Sequence, residues 1–380
     1  MGSTKKMAPL AGMAAAAMVG AWAAEASADV VVGAVYPLSG GVAYDGQTKL
    51  NGAQIAVDEI NAAGGVLGEP FVLEVEDGAC NPAQSVSAAE KLITETNVVS
   101  ILGAFCSSSS GAVMEVAEKY GIPHMTGVST AVTLTERGNP WFFRATATTS
   151  LLAGAFGEAI MDAGVSDVAF LVVNDDWGRA VAESYGSVIE ELGGSVVATE
   201  IFGRDETDLF PYVTNIKAAS PDAVITAANT QNAANLTTQL RQLGVTVPIM
   251  GEGSFSSQAY LDLVGEMGED VVGLVEYVPS IDSPENAAFV EEYVSRYDEE
   301  PTKFSAAGYW TVNIMADAIE RAGSTEPEAI REALAATNYD GLTGNFQFAE
   351  NGQAYNFTVY MARISDGEPE VIGSGQIPQP

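Results

Sequence analysis

The chain has 380 residues, of which 47% are hydrophobic, and it carries a formal net charge of −34 at pH 7. An acidic surface of this kind repels nucleic acid and anionic lipid, so the composition argues against a partner of either class. A chain of this length is expected to fold as two domains.

The first 28 residues have the pattern of a secretory signal peptide. Lys5 and Lys6 give it a basic start, residues 7–24 are apolar and rich in alanine, and Ala26-Ser27-Ala28 provides small residues at the cleavage site. We expect cleavage before Asp29, which would leave a soluble exported protein. The alternative is an uncleaved membrane anchor. No cysteine follows the apolar run, so a lipid anchor is not expected.

Short apolar runs alternate with amphipathic helical patterns along the rest of the chain. Because these runs are continuous, they favour strands covered on both faces, as in parallel sheets with helical crossovers. The sequence therefore predicts an α/β fold. The predicted strands are Val30–Val35, Phe71–Val75, Val98–Leu102, Val168–Val173, Val196–Phe202 and Ala223–Ala227.

Polar side chains follow several of these strands. In open parallel sheets, ligands bind beyond the carboxyl ends of the strands, so these positions are candidates for a site. The candidates are Ser107–Ser110, Ser129-Thr130, Asp175–Trp177, Asn229–Gln231 and Glu252.

The serine run Ser107–Ser110 begins a predicted helix. Free backbone amides, hydroxyl groups and the helix dipole at such a position can bind a small carboxylate. The alternative is plain helix capping with spare serines on the surface. Ser129 and Thr130 occupy the equivalent place after the next strand, which favours anion binding.

A ligand ammonium group would need a carboxylate and aromatic faces. Asp175, Asp176 and Trp177 follow one strand, and Glu252 stands between two glycines after another. For each of these acids the alternative is an ordinary solvated loop.

The chain has two cysteines, Cys80 and Cys106. An even number in an exported protein favours one disulfide, the alternative being two buried free thiols.

The sequence offers little for catalysis. His124 is the single histidine, and it falls within an apolar run, where a structural role is favoured. No nucleophile elbow, zinc motif, P-loop or dinucleotide fingerprint occurs. We therefore expect no enzyme activity, no cofactor and no metal site.

Several motifs resemble the leucine/isoleucine/valine-binding type of periplasmic substrate-binding protein, which serves ABC transporters. The resemblance covers residues 29–375. Its motifs are "GAVYPLSGGVAYDGQTKLNGAQIAVDEINAAGG" at the start, "DGACNPAQSVSAAEKL" with "GAFCSSSS" around the family's disulfide pair, and "GYWTVNIMADAIERAG" as a late helix.

The resemblance implies two doubly wound parallel-sheet lobes joined by a three-stranded hinge, the type I periplasmic binding protein fold. Residues 29–145 and 278–346 would form the N-lobe, and residues 146–277 and 347–380 the C-lobe and tail. The hinge crossings would lie near Arg144–Ala147, Glu276–Val278 and Phe346–Phe348.

The resemblance also implies ligand-binding residues. Ser107 and Thr130 would hold a carboxylate together with backbone near Val128, and Glu252 would receive an ammonium group, although it stands one position early. The family often has tyrosines where this chain has Asp45, Trp177 and Asn229, and Phe105 fills a place that often touches the ligand. These changes suggest a larger or more polar ligand than leucine, and Asp45 could meet a second positive group.

The leading hypothesis is a monomeric receptor that binds an amino acid or similar small carboxylate and delivers it to an ABC permease in the inner membrane. The alternatives are a ligand-binding sensor of the same fold, a receptor for a non-amino-acid carboxylate or amide, and a periplasmic enzyme.

Overall fold

A computed structural model describes residues 1–4, 29–255 and 257–379 of the chain. The predicted signal peptide falls almost entirely on residues 5–28 and so lies outside the described residues. Within the described part, no helix is long and apolar enough to cross a membrane.

The first sheet has five parallel strands in the order β2-β1-β3-β4-β5. Its central strands are fully buried because helices cover both faces. The five strands are β1 (Val30–Tyr36), β2 (Phe71–Asp77), β3 (Ile101–Gly103), β4 (His124–Thr126) and β5 (Phe142–Arg144).

The second sheet has nine strands and is mixed. Five of them, in the order β7-β6-β8-β9-β10, are parallel, and β13 then pairs antiparallel with β10, β12 and β14. The strands are β6 (Asp167–Val173), β7 (Ser195–Phe202), β8 (Ala223–Ala228), β9 (Ile249–Gly253), β10 (Val272–Val275), β11 (Asn338–Gly341), β12 (Gly344–Phe348), β13 (Ala354–Ser365) and β14 (Glu368–Gln376).

Helices connect the parallel strands and pack beside both sheets. They are α1 (Ala43–Ala62), α2 (Pro82–Glu95), α3 (Ser107–Tyr120), α4 (Thr133–Glu136), α5 (Thr149–Asp162), α6 (Asp176–Glu191), α7 (Phe210–Ala219), α8 (Thr230–Gln242), α9 (Gln258–Val264), α10 (Pro284–Tyr297), α11 (Lys303–Ala322) and α12 (Pro327–Ala335). A short 3₁₀ helix, Gly265–Gly268, follows α9.

The N-lobe consists of the five-stranded sheet with helices α1, α2, α3 and α11, and the C-lobe of the nine-stranded sheet with helices α5 to α9. The predicted α/β fold with two parallel-sheet lobes is confirmed, and each of the six predicted strands has a counterpart. The exact lobe boundaries at residues 145, 277 and 346 stay predictions.

Two details differ from the predicted strands. Strand β7 alternates between half-buried and exposed residues, because it lies at the edge of its sheet with one face toward solvent. Glu252, expected in a loop, lies within β9, where Glu252 pairs with Ala227 of β8 and Leu274 of β10.

Candidate functional site

A cleft lies between the two lobes. Small-molecule sites are concave and lined by apolar and aromatic side chains with a few polar groups, and this cleft has that composition. Its lining residues are Phe105, Cys106, Ser107, Val128, Thr130, Lys303 and Phe304 from the N-lobe and Asp175, Trp177, Asn229 and Gly253 from the C-lobe.

Six of the nine predicted ligand-binding residues line this cleft, namely Phe105, Ser107, Val128, Thr130, Trp177 and Asn229. Ser129, Glu252 and Asp45 do not line it, and each is buried in another hydrogen-bonded setting.

Ser107 is the first residue of α3, and Cys106 is the N-cap residue without a side-chain capping bond. The first backbone amides of the helix are therefore not satisfied by a capping side chain. The Ser107 hydroxyl accepts a hydrogen bond from the Ala131 amide at 3.3 Å, which ties the start of α3 to the loop after β4. This end of α3 presents a hydroxyl, free amides and the positive end of the helix dipole to the cleft.

The loop after β4 is held in place by the buried guanidinium group of Arg144. Its Nη1 donates to the carbonyl oxygens of Ala131 at 2.6 Å and Ser129 at 3.3 Å, on either side of Thr130. Nε donates to Gln353 at 2.7 Å. Burial lowers the pKa of Arg144 to about 9, and the group remains a cation at neutral pH behind the loop that carries Thr130. Arg144 was expected only at a hinge crossing, and its role in positioning this loop was not predicted from the sequence.

The other serines of the run do not behave as surface capping residues. Ser109 and Ser110 are buried, and the Ser110 hydroxyl lies 2.7 Å from that of Ser129. Ser129 also donates to the carbonyl oxygen of Phe105 at 2.9 Å. Ser109 and Ser110 are therefore not spare surface serines, which was the alternative for this run, and Ser110 faces the loop after β4.

One wall of the cleft is built on the disulfide. Cys80 and Cys106 are bonded, with their Cα atoms 5.4 Å apart, and Cys106 packs with Phe105 and Phe304. The two phenyl rings have centroids 4.7 Å apart and are tilted by 51°. The disulfide favoured from the sequence is present, and it fixes the segment that carries Phe105 and Ser107.

Glu252 lies behind the cleft, with 1% of its surface exposed. Its Oε2 accepts hydrogen bonds from Trp177 Nε1 at 3.0 Å and from the hydroxyls of Thr130 and Thr149 at 3.4 Å each. Its Oε1 is buried without a partner among the described residues. Burial raises the pKa of Glu252 to about 7, against the opposing effect of the Trp177 hydrogen bond and of Lys303.

Gly253 explains how this acid reaches the lobe interface. Its φ is +123°, and a Cβ atom there would lie 2.1 Å from the carbonyl oxygen of Ala228. A glycine is therefore required where β9 passes β8, and the strand can bring Glu252 beneath Trp177.

The C-lobe wall is formed by the starts of two helices. Asp175 caps α6 by accepting from the Gly178 amide at 2.9 Å, and its other oxygen pairs with Arg204. Burial raises the pKa of Asp175 even though Arg204 opposes the shift. Asn229 precedes α8, and its Nδ2 is buried without a partner among the described residues.

Lys303 and Phe304 are cleft residues that the sequence analysis missed. Lys303 begins α11, and its Nζ lies 3.0 Å from Glu276 Oε2, which follows β10 of the C-lobe. Glu276 also accepts from Thr146 at 3.1 Å. A helix start at "PTKF" could have been read from Thr302 and Ser305, which form a capping box, but nothing in the sequence links this helix to the cleft.

Asp45 lies in α1, outside the cleft lining, and its carboxylate bonds hydroxyl groups of the C-lobe. Burial raises its pKa. The predicted contact between Asp45 and a second positive group of the ligand has no counterpart among the cleft residues and stays a prediction.

His124 is fully buried at the start of β4 and does not line the cleft. Its Nε2 donates to the Gly103 carbonyl oxygen at 2.6 Å, and burial lowers its pKa to about 4. It is therefore neutral at pH 7 and has a structural position. Within the described part of the chain, no group of three or more His, Cys, Asp or Glu side chains is placed to hold a metal ion.

Comparisons with known proteins agree with this architecture. The family model described as "Periplasmic binding protein" matches residues 29–369. The chain is 28% identical over 328 residues to the leucine-, isoleucine-, valine-, threonine- and alanine-binding protein of Pseudomonas aeruginosa, covering 85% of this chain and 87% of that protein.

Two solved structures show the same fold. The branched-chain amino acid transporter substrate-binding protein LivJ of Streptococcus pneumoniae, in complex with isoleucine, aligns with a TM-score of 0.83 and 25% identity, covering 93% of this chain and 100% of that one. A solute-binding protein of an ABC transporter from R. palustris, in complex with benzoate, aligns with a TM-score of 0.86 and 19% identity over 93% of this chain and 98% of its own.

Proposed function

The chain belongs to the periplasmic binding protein family, and from that premise we propose that it is a soluble periplasmic receptor for an amino acid or related small carboxylate. It binds the ligand between its two lobes and delivers it to the permease of an ABC transporter in the inner membrane. It acts as a monomer, and it is not an enzyme.

The observation that carries this proposal is that Ser107 and Thr130 both line the N-lobe wall of the cleft. Ser107 begins α3, whose first amides have no side-chain cap, and Thr130 lines the same cleft. Such a group of donors suits a carboxylate, because each hydrogen bond to a charged acceptor is worth about 1.5–3 kcal/mol. The relative from Pseudomonas aeruginosa, whose name lists five amino acids, supports the same class of ligand.

The C-lobe wall of the cleft suits an ammonium group. Trp177 presents an aromatic face, Asp175 lines the cleft, and Glu252 lies directly behind the indole. A cation beside an aromatic ring and a carboxylate is stabilised by its attraction to each of them. An ammonium group would also keep Glu252 ionised, because it opposes the effect of burial on the pKa.

A second candidate ligand class is an aromatic carboxylate. Three aromatic side chains line the cleft, Phe105, Phe304 and Trp177, and they offer stacking surfaces for a planar ring. In that case Ser107 and Thr130 would bind the carboxylate in the same way.

The direct experiment is to purify the protein without denaturation and to identify the bound small molecule by mass spectrometry. We expect an amino acid or another small carboxylate in a one-to-one ratio. A cationic or sugar ligand without a carboxylate would overturn the proposal.

A further inference from the structure

The carboxylate of Asp45 joins the two lobes directly. Asp45 belongs to α1 of the N-lobe, and it accepts hydrogen bonds from Thr230 Oγ1 at 2.6 Å, the Thr230 amide at 3.4 Å and Ser254 Oγ at 3.1 Å. All three donors belong to the C-lobe. We call this set of bonds the Asp45 contact.

The Asp45 contact is buried and involves no cation. Asp45, Thr230 and Ser254 are each less than a tenth exposed. No lysine or arginine forms an ion pair with Asp45 in the part of the chain that the structure describes. The carboxylate is instead supported by hydroxyls and by the amino-terminal end of α8, where free amides and the helix dipole favour a negative charge.

The donors are adjacent in sequence to the walls of the cleft. Thr230 follows Asn229, and Ser254 follows Gly253, and both of these neighbours line the cleft while Asp45 itself does not. The contact therefore holds two C-lobe wall segments against the N-lobe without occupying the space of a ligand.

The position of Asp45 is fixed by its neighbour. A Cβ atom on Gly46 would lie 1.8 Å from the carbonyl oxygen of Pro37, so α1 packs directly on the loop after β1 only because residue 46 is glycine. This close approach fixes the α1 backbone beside Asp45, whose carboxylate bonds the start of α8.

We propose that Asp45 is a positioning residue that stabilises the closed arrangement of the lobes through the Asp45 contact, without touching the ligand. It populates closed conformations before a ligand arrives, and it slows the opening that releases one. Because the contact forms between the lobes themselves, its contribution to affinity is the same for every ligand that the closed cleft accepts.

The first test measures the ligand-free protein by small-angle X-ray scattering. We expect Asp45→Ala to give a larger radius of gyration than the wild type. The double variant Thr230→Val plus Ser254→Ala should give the same increase, and combining all three changes should add nothing, since both sides of one contact have been removed. Tyr44→Phe is the matched control, because the Tyr44 hydroxyl bonds Glu299 and not the C-lobe. Equal radii for the wild type and both variants would overturn the proposal.

The second test compares dissociation constants for leucine and isoleucine. Asp45→Ala should raise both by the same factor of about ten, equivalent to 1.4 kcal/mol, chiefly through faster dissociation. Factors that differ between the two ligands would show that Asp45 contacts the ligand and would overturn the proposal. If neither amino acid binds the wild type, the proposed ligand class fails, and the scattering comparison alone decides the role of Asp45. If Asp45→Ala does not fold, the Thr230 and Ser254 double variant carries both tests.

Discussion

Three buried carboxylates meet at the interface between the lobes, and they are stabilised in different ways. Asp45 and Glu252 accept hydrogen bonds from hydroxyl, amide and indole donors, whereas Glu276 pairs with Lys303. Burial without a cation raises the pKa of both Asp45 and Glu252. The interface therefore holds acids whose charge is costly in the closed arrangement unless a ligand brings a positive group.

Glu252 makes the stability of the ligand-free protein depend on pH. Its pKa is raised from 4.5 to about 7 in the folded state, so the folded protein keeps a proton that the unfolded chain has released. Wild-type stability should therefore fall as the pH rises from about 4.5 to about 7. Relative to Glu252→Gln, we expect the wild type to lose about 2–3 kcal/mol of unfolding free energy between pH 5 and pH 8 in urea titrations.

The control for this prediction is Glu74→Gln, because Glu74 is exposed on the edge strand β2. The unfolding free energy of this variant should differ from that of the wild type by the same amount at every pH in this range. If the unfolding free energies of the wild type and Glu252→Gln differed by the same amount from pH 5 to pH 8, the inferred raised pKa of Glu252 would be contradicted.

At the residue scale, the sequence predicts which positions follow a strand end, but not whether the side chain at such a position points into the cleft. Ser107, Thr130 and Trp177 follow strand ends, and parallel topology alone brings such residues to one edge of a sheet. Ser129 and Glu252 also satisfy that rule, but their side chains point behind the cleft. Pairing of β9 with β8 and β10 sets the direction of Glu252, and no local pattern reveals those pairs.

At the scale of elements, the disulfide and the start of α3 form one unit. Cys106 immediately precedes the helix, so its bond to Cys80 fixes both the Phe105 wall and the hydroxyl of Ser107. An even cysteine count could predict the bond. Of the antiparallel strands β11 to β14, the sequence indicated only the end of β12, as the hinge crossing near Phe346–Phe348. The others were not identified, because their buried and exposed residues alternate and they lack the continuous apolar runs of the parallel strands.

Replacing both cysteines, Cys80→Ser plus Cys106→Ser, should lower the unfolding free energy by about 3 kcal/mol, because the bond closes a loop across 26 positions of sequence. Ligand affinity should fall as well, since the cleft wall loses its anchor. Chemical denaturation and calorimetric titration measure the two effects.

Adding a reductant provides the control. It should reproduce both losses in the wild type and change nothing in the double serine variant. Full stability and affinity in the variant would show that packing of Phe105 and Phe304 holds the wall without the disulfide.

At the scale of the whole molecule, binding and closure are one process. The proposed carboxylate donors, Ser107 and Thr130, lie on the N-lobe, while Trp177, Asp175 and Asn229 lie on the C-lobe. A ligand that reaches both sides would favour the closed arrangement. Alternation of strands and helices predicts both lobes. The contacts between the lobes could not be predicted. The partners in each contact, such as Asp45 and Thr230 or Lys303 and Glu276, are separated in the chain, and no sequence pattern links them.

The most direct test of the account is calorimetric titration of protein stripped of ligand by unfolding and refolding, with a panel of amino acids and small carboxylates that includes benzoate. We predict that at least one member binds, and that Ser107→Ala plus Thr130→Ala weakens its binding about 100-fold or more. Ser108→Ala, in the same serine run but outside the cleft lining, should leave the affinity unchanged. Unchanged affinity in the double variant, or no binding by any member of the panel, would contradict the central claim that this cleft is a carboxylate site.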